Sequence, residues 1–189
     1  MGKKGMIIVL SGFSGAGKGT IMKHLLKRYP NDYNLSISAT TRGKRQGEKD
    51  GREYFFKTRR EFEFMIENGL LLEYADYLGN YYGTPLLWVQ DRLDQGVNVI
   101  LEIDIQGGFQ VREKIPHTLT VFIMPPSEEE LLRRLRNRGT ETQEQIKNRM
   151  ERAKEEMNSA SLYDNIIVNE DVEKSAEMLH NIVHLKKGY

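Results

Sequence analysis

The most informative segment of the chain is the glycine-rich run Gly12-Phe13-Ser14-Gly15-Ala16-Gly17-Lys18-Gly19-Thr20. The apolar run of residues 6–10 precedes it and favours a buried parallel strand. Apolar residues at i, i+4 spacing follow it, between Ile21 and Leu26, and indicate an amphipathic helix. Because a strand, a glycine loop with a lysine and a helix form the context in which backbone N–H groups surround phosphate, the segment predicts a nucleoside triphosphate site. Lys18 is then placed to reach the terminal phosphates.

The position after Lys18 departs from the usual pattern of such loops. Gly19 stands where a serine or threonine is common, and the hydroxyl comes one residue later, at Thr20. Since that hydroxyl normally contacts Mg²⁺, the sequence leaves the direct metal ligands unassigned.

Composition narrows the class of protein. The 189 residues suit one compact α/β unit. A formal net charge of +1 favours neither a nucleic acid nor a membrane as partner, although residues 1–60 hold 14 Lys and Arg against 4 Asp and Glu, which suits a small polyanion. Cysteine is absent, and residues 6–10 are too short for a signal segment or a membrane span, so we expect a cytoplasmic protein with no obligatory protein partner.

Strand and helix patterns alternate along most of the chain. Apolar strands at 97–104 and 119–124 are each followed by a helix, which predicts an α/β fold with a parallel sheet flanked by helices. Shorter strands are expected at 33–38, 53–57 and 70–77, and a helix beginning at Gly83-Thr84-Pro85. We expect a core of residues 1–35, 85–137 and 149–189, a small β-rich lobe at 36–84 and a mobile lid at 138–148, where arginines and a glycine have little apolar support.

Two groups of cations suggest a second phosphorylated ligand and a transfer reaction. Arg42 and Arg45, with Tyr54 following, could hold phosphate oxygens; the alternative is a solvated loop. Arg134, Arg138 and Arg149 flank the predicted lid, where cations could stabilise a transferring phosphoryl group; taken alone, each is more typical of a surface residue.

Carboxylates in apolar surroundings suggest which base is recognised. Glu73 and Asp104 could accept from the N1–H and N2 amino groups of guanine, and the hydroxyls of Ser38 and Thr84 could donate to O6. The alternative is that either carboxylate pairs with Arg42 or Arg45.

Over essentially its whole length the chain resembles the guanylate kinase family. The matching segments are GFSGAGKGT, TTRGKRQGEKDGREYFF, GNYYGT, ILEIDIQG and RNRGTET. The second is the most specific, since its arginines, acidic residue, glycine and aromatic residues keep fixed spacing. Three positions depart from the family: Lys44 replaces a common proline, Thr84 a serine and Glu102 an aspartate.

The resemblance implies a P-loop nucleoside monophosphate kinase fold with a GMP-binding lobe and a lid, and transfer of the ATP γ-phosphate to GMP with Mg²⁺. It implies that residues 12–20 and Asn169 bind ATP. It implies that GMP is bound by Ser38, Arg42, Arg45, Tyr54, Glu73, Tyr82, Thr84, Glu102 and Asp104. The catalytic cations it implies are Lys18, Arg42, Arg134, Arg138 and Arg149.

Two alternatives to this function remain open on the sequence. One is a catalytically inactive protein-binding module of the same fold, although such modules typically lack phosphate-loop or arginine residues that are present here. The other is a kinase for another nucleoside monophosphate, against which Glu73 and Asp104 argue in the case of AMP.

Overall fold

The computed structural model describes residues 4–137, 139 and 142–188. Its strands are β1 (Ile7–Gly12), β2 (Tyr33–Leu35), β3 (Ala39–Thr40), β4 (Phe55–Phe56), β5 (Leu71–Tyr77), β6 (Asn80–Pro85), β7 (Asn98–Glu102), β8 (Leu119–Met124) and β9 (Asn165–Val168). Its helices are α1 (Lys18–Arg28), α2 (Arg59–Glu67), α3 (Leu86–Asp94), α4 (Ile105–Lys114), α5 (Glu128–Asn137), α6 (Gln143–Ala160) and α7 (Val172–Lys186).

A parallel sheet of five strands, in the order β2-β7-β1-β8-β9, forms the core. Its central strand, β1, lies between β7 and β8, and Ile8 is in register with Ile100 and Leu119. Every residue from Ile7 to Ser11 is buried whichever face it points to, as expected for a parallel strand covered by helices on both sides. The α/β fold with a parallel sheet flanked by helices is therefore confirmed. The glycine loop leaves β1 at the carboxyl end of the sheet, where ligands of such folds bind.

A second sheet has four strands in the order β4-β3-β6-β5. In the chain, these strands follow β2 and precede α3. This sheet has a small core of its own, formed by Ala39, Phe62 and Leu71. Its helix α2 begins with the predicted capping box, in which Thr58 and Glu61 satisfy each other's backbone N–H groups. The bounds 36–84 for this lobe stay a prediction.

Three local predictions are wrong in the lobe and beside it. The strand expected at 33–38 ends at Leu35, and the one expected at 53–57 pairs over only two residues. Gly83 and Thr84 lie in β6 and do not begin a helix, and Pro85 is the N-cap of α3. Gly83 pairs with Ala39 on one side and Tyr74 on the other, and a Cβ there would lie 2.7 Å from the Glu73 carbonyl oxygen. Strand pairing with distant segments, which local sequence does not reveal, therefore decides this stretch.

Helix α6 occupies part of the predicted lid. It begins at Gln143 with a capping box between Thr142 and Gln145, and Ile146 is buried, so residues 143–148 are helical. Arg138, at the start of the predicted lid, lies outside the described residues.

The helices bury one apolar face each. In α1, Ile21, Met22 and Leu25 are buried, as their spacing predicted. Within the described ranges of the chain, no helix is long and apolar enough to cross a bilayer.

Candidate active site

The loop between β1 and α1 has a shape that only glycine allows. Gly12 and Gly17 have φ angles of 141° and 96°, which are unfavourable for other residues. A Cβ on Gly12 would lie 2.2 Å from the Ile123 carbonyl oxygen, and one on Gly17 would lie 2.3 Å from the Asn169 side-chain nitrogen. These two glycines are therefore required both by the turn and by the close approach of Ile123 and Asn169 to the loop.

Lys18 begins α1 and folds back over this loop. Its Nζ donates to the carbonyl oxygens of Gly12 at 2.5 Å and Phe13 at 3.3 Å. The positive end of the helix dipole and the ammonium group thus face the same space. This geometry suits an anion above the loop, because a phosphate would meet both the cation and the N–H groups at the start of the helix.

Asn169 holds the loop from behind. Its side chain is buried and donates to the Ala16 carbonyl oxygen at 2.7 Å, while it accepts from Ser175 at 3.1 Å. Both polar ends of the amide are therefore bonded within the protein. The resemblance to the family implied that Asn169 lies near ATP. In the structure, its side chain supports the backbone of the loop.

Arg134 reinforces the same contact. Its guanidinium donates to the carbonyl oxygens of Ala16 at 3.2 Å and Asn169 at 2.9 Å. Glu130, one turn earlier on α5, accepts from it at 2.7 Å and thereby orients it. The arginine consequently joins α5, the glycine loop and the end of β9.

Helix α6 brings Arg149 to the glycine loop, where its guanidinium donates to the hydroxyl of Ser14. The space between α6, the loop and the lobe is an open crevice of about 860 Å³. It is lined by Gly12, Ser14, Lys18, Tyr54, Tyr77, Glu102, Ile103, Asp104, Ile105, Gln145, Asn148, Arg149, Arg152 and Glu156. Residues of the core, the lobe and α6 thus face one another across one space.

At the predicted second anion site, the guanidinium of Arg42 lies against aromatic rings and an acidic residue. Arg42 pairs with Glu48 at 2.8 Å, and its guanidinium lies 5.3 Å from the centre of the Tyr54 ring. The Glu48 carboxylate raises the pKa of Arg42, and Arg42 lowers the pKa of Glu48. Tyr82 stands edge-on to Tyr54, with ring centres 6.0 Å apart. The Arg45 backbone N–H also donates to Glu48, at 2.8 Å.

Two of the predicted base-reading residues, Glu73 and Thr84, are buried, whereas Asp104 is exposed. Glu73 is 5% exposed and accepts a 2.6 Å hydrogen bond from the hydroxyl of Thr84. Burial raises the pKa of Glu73 to about 7, although the Thr84 bond acts in the opposite direction. Asp104 caps α4 and accepts from the Gly107 N–H at 2.8 Å. The alternative partner suggested for these carboxylates, Arg42, pairs instead with Glu48.

Ser38 and Glu102 occupy the edges of the site. Ser38 is half-buried, and its carbonyl oxygen accepts from the Phe55 N–H at 2.9 Å, which ties β4 to the lobe. Glu102 ends β7, is exposed and faces the crevice together with Lys18. Among the described residues, no three His, Cys, Asp or Glu side chains converge as a metal site. A cation here would therefore depend on ligand phosphates and at most one or two carboxylates, which is how Mg²⁺ commonly binds.

Sequence reasoning missed several residues in and around the crevice. Arg152 lies one helical turn after Arg149 on α6, so helical periodicity could have found it. Glu48 sits in a quoted motif, but its pairing with Arg42 depends on how the loop folds back. Tyr77 gives no local signal, and the lobe alone brings it to the crevice, beside Tyr82.

Comparisons with known proteins agree with this geometry. The family model described as guanylate kinase matches residues 4–186. A guanylate kinase of Mycoplasmoides gallisepticum is 52% identical over 181 residues, which cover 96% of this chain and 93% of that protein. One of Lactococcus lactis subsp. lactis is 50% identical over 183 residues, which cover 97% and 89%.

A solved structure extends the likeness to three dimensions. The crystal structure of guanylate kinase from Anaplasma phagocytophilum superposes with a TM-score of 0.76 at 36% identity, over 100% of this chain and 89% of that one. The resemblance and the P-loop kinase fold expected from the sequence are therefore confirmed. With matches of this extent in sequence and in structure, the chain belongs to the guanylate kinase family.

Proposed function

We propose that the protein transfers the γ-phosphate of ATP to GMP and forms ADP and GDP. The observation that carries this proposal is the shared crevice, which is lined by Lys18 of the phosphate loop, by Tyr54 of the lobe and by Asp104 just after a core strand. Family membership supports the same reaction. A second candidate function has no specific observation in its favour.

The ATP phosphates bind to the N–H groups of the loop from Gly12 to Thr20 and to Lys18. Arg149, which already contacts Ser14, lies within reach of the transferring group, and Arg134 keeps the loop in shape. Arg138 is proposed as a further lid-side cation on the sequence alone. Since the GMP phosphate is itself an anionic nucleophile, the reaction requires alignment and charge stabilisation but no general base.

The GMP phosphate binds to Arg42, Arg45, Tyr54 and Tyr82. In the structure, the guanidinium of Arg42 donates to the carboxylate of Glu48. An incoming phosphate therefore competes with that carboxylate or shares the guanidinium with it. Because the Glu48 pair is half-buried and already ordered, the arginine is held near its binding position before the ligand arrives.

Guanine binds deeper, between the lobe and the core. The carboxylates of Glu73 and Asp104 accept from its N–H groups, and the hydroxyl of Ser38 donates to O6. Thr84, whose single hydroxyl proton is donated to Glu73 in the free protein, donates to O6 only if that bond is released. Adenine cannot satisfy two such acceptors, and leaving the buried carboxylate of Glu73 without this partner is costly. Selectivity for guanine follows from this donor and acceptor pattern.

Mg²⁺ is proposed to accompany ATP, with Glu102 as the protein group that holds it, directly or through water. Bound there, the ion would neutralise charge on the phosphates. We also propose the division into a core (1–35, 85–137 and 149–189), a GMP lobe (36–84) and a lid (138–148) that close over both nucleotides, and a cytoplasmic location, which the absence of cysteine suits.

A coupled assay of ADP release with Mg·ATP and each of GMP, dGMP, AMP, CMP and UMP tests the proposal. Turnover confined to guanine nucleotides is the expected result. Turnover with AMP or UMP would keep the kinase and overturn the base assignment. If folded protein gives no turnover with any of them, the enzymatic proposal is wrong and the protein-binding module becomes the better explanation.

A further inference from the structure

One face of α4 runs along the edge of the lobe. Asp104, Gly107, Gln110 and Lys114 follow one another at intervals of three, three and four residues, so they lie on the same side of the helix. Each of the last three contacts β5 or the side chain of Glu73. We call this row of four residues the α4 seam.

Gln110 makes the most specific contact of the α4 seam. Its side-chain oxygen accepts from the Tyr74 N–H at 3.2 Å, and its side-chain nitrogen donates to the Tyr74 carbonyl oxygen at 3.2 Å. β5 is the outer strand of the lobe sheet, so these backbone groups have no neighbouring strand. The amide of Gln110 therefore occupies the place of a paired strand residue and satisfies both groups.

This contact lies beside an irregularity in the lobe sheet. The pairing of β5 with β6 shifts register between Leu71 and Tyr74, and Glu73 lies within that interval. Regular strand pairing thus does not fix the residue that we assign to guanine. Gln110 holds Tyr74 on one side of it, and Lys114 donates to the Leu71 carbonyl oxygen on the other side at 3.1 Å.

Gly107 is the residue of the α4 seam that lies against the carboxylates of Glu73 and Asp104. A Cβ on this residue would lie 2.9 Å from Glu73 Oε2 and 3.4 Å from Asp104 Oδ1. The bare backbone of α4 consequently fits against both acid groups, and its N–H already binds Asp104. Glu73 lies on β5 and Asp104 is the N-cap of α4, so Gly107 is the point at which both carboxylates approach the same backbone.

We propose that the α4 seam holds Glu73 beside Asp104 and that Gln110 is a positioning residue for guanine selectivity. The inference rests on the proposed function, because it gives the two carboxylates one shared ligand. Two acceptors select guanine only if both meet its N–H donors at once, so a loosened β5 should weaken guanine binding. The ATP loop should stay intact, because Arg134 and Asn169 hold its Ala16 carbonyl.

The kinetic test compares Gln110→Ala with Glu113→Ala, a control on the exposed side of the same helix. For Gln110→Ala we expect KM for GMP to rise about tenfold, KM for ATP to stay within about twofold and the preference for GMP over IMP to fall about tenfold, in line with the loss of two hydrogen bonds. IMP lacks the N2 amino group and therefore reports on the second acceptor. Glu113→Ala should match the wild type in all three values. Equal changes in both KM values, or none, would overturn the proposal.

A second measurement needs no substrate. NMR titration of the Glu73 carboxyl group in the free protein should give a lower midpoint in Gln110→Ala than in the wild type or Glu113→Ala, because the released carboxylate reaches water more easily. An unchanged midpoint would overturn the positioning role even if the wild type phosphorylates GMP. Conversely, if the wild type fails to phosphorylate GMP while the midpoint shifts, the proposed function falls and the structural role of Gln110 stands.

Should Gln110→Ala not fold, Gln110→Glu provides the same test. It keeps an acceptor for the Tyr74 N–H but places a carboxylate against the Tyr74 carbonyl oxygen. We expect it to raise KM for GMP at least as much as Gln110→Ala, with KM for ATP unchanged. A Gln110→Glu variant with wild-type GMP kinetics and base preference would contradict the proposal.

Discussion

The hydroxyl of Thr84 donates a 2.6 Å hydrogen bond to the carboxylate of Glu73, and both side chains are buried inside the lobe. Burial raises the pKa of Glu73 to about 7, since the charged form loses contact with water. The carboxyl group thus exchanges its proton near neutral pH, at the position where we propose that guanine binds. Two measurable consequences follow from this, one for binding and one for stability.

GMP affinity should depend on pH through Glu73. One oxygen of Glu73 already accepts from Thr84, so protonation of the carboxyl group competes with guanine for the other, and lowering the pH through 7 weakens the acceptor. The GMP Kd should rise about tenfold between pH 8 and pH 6, while the Kd for ATP changes less. Calorimetric titration at both pH values measures this, and at pH 6 it should show proton release when GMP binds.

The matched control is Glu73→Gln, which cannot titrate at this position. It should bind GMP more weakly at pH 8 and lack the Glu73-linked change. The phosphate of GMP titrates near pH 6 as well, and the ratio of wild type to variant cancels that contribution. If the ratio is the same at pH 6 and pH 8, Glu73 is not the titrating acceptor.

Glu73→Gln should also stabilise the fold at alkaline pH. The pKa of Glu73 is raised in the folded protein, so the folded state binds more protons than the unfolded state between pH 4.5 and 7. Its contribution to stability is therefore fully present below 4.5 and lost as the pH rises through 7. The wild type should lose about 3 kcal/mol of unfolding free energy relative to the variant between pH 4 and pH 8. Urea denaturation of both proteins at several pH values checks this, and parallel curves would contradict it.

Two glycines of the phosphate loop should respond to alanine with opposite signs. Gly17 has a φ of 96°, and a Cβ there would lie 2.3 Å from the Asn169 amide nitrogen, so Gly17→Ala should cost at least about 2 kcal/mol of unfolding free energy. Gly19 lies within α1 with nothing within 4 Å of its Cβ position, so Gly19→Ala should stabilise the free protein by about 1 kcal/mol. Denaturant unfolding without nucleotide compares them. Equal effects would mean that Asn169 does not constrain the loop.

Lys18→Ala should lower kcat on the order of a hundredfold or more, because the ammonium group acts on the transferring phosphate. Lys23→Ala, on the exposed side of the same helix, is the control and should keep wild-type kinetics. Steady-state assays with both nucleotides varied separate the parameters. A Lys18→Ala variant changed only in KM for GMP would show that the lysine serves the other ligand.

The sequence was most informative where function and fold depend on consecutive residues. The run from Gly12 to Thr20 predicted strand, loop and helix correctly, because glycine spacing and apolar periodicity are local properties. Capping boxes at Thr58 and Thr142 were likewise readable, since each is complete within four residues. The strand β6 was missed because its pairing partners lie elsewhere in the chain.

By itself, the sequence determined the family, the phosphate loop and the residue types available for binding, because these rest on short-range patterns and on the spacing of residues within motifs. Tertiary structure alone decided that Asn169 supports the loop, that Glu48 holds Arg42 and that Gln110 pairs with β5. It also decided that Glu73 is buried enough to titrate near neutrality. These properties depend on which distant groups meet and on how much water they exclude, and both are settled only when the sheet and helices pack together.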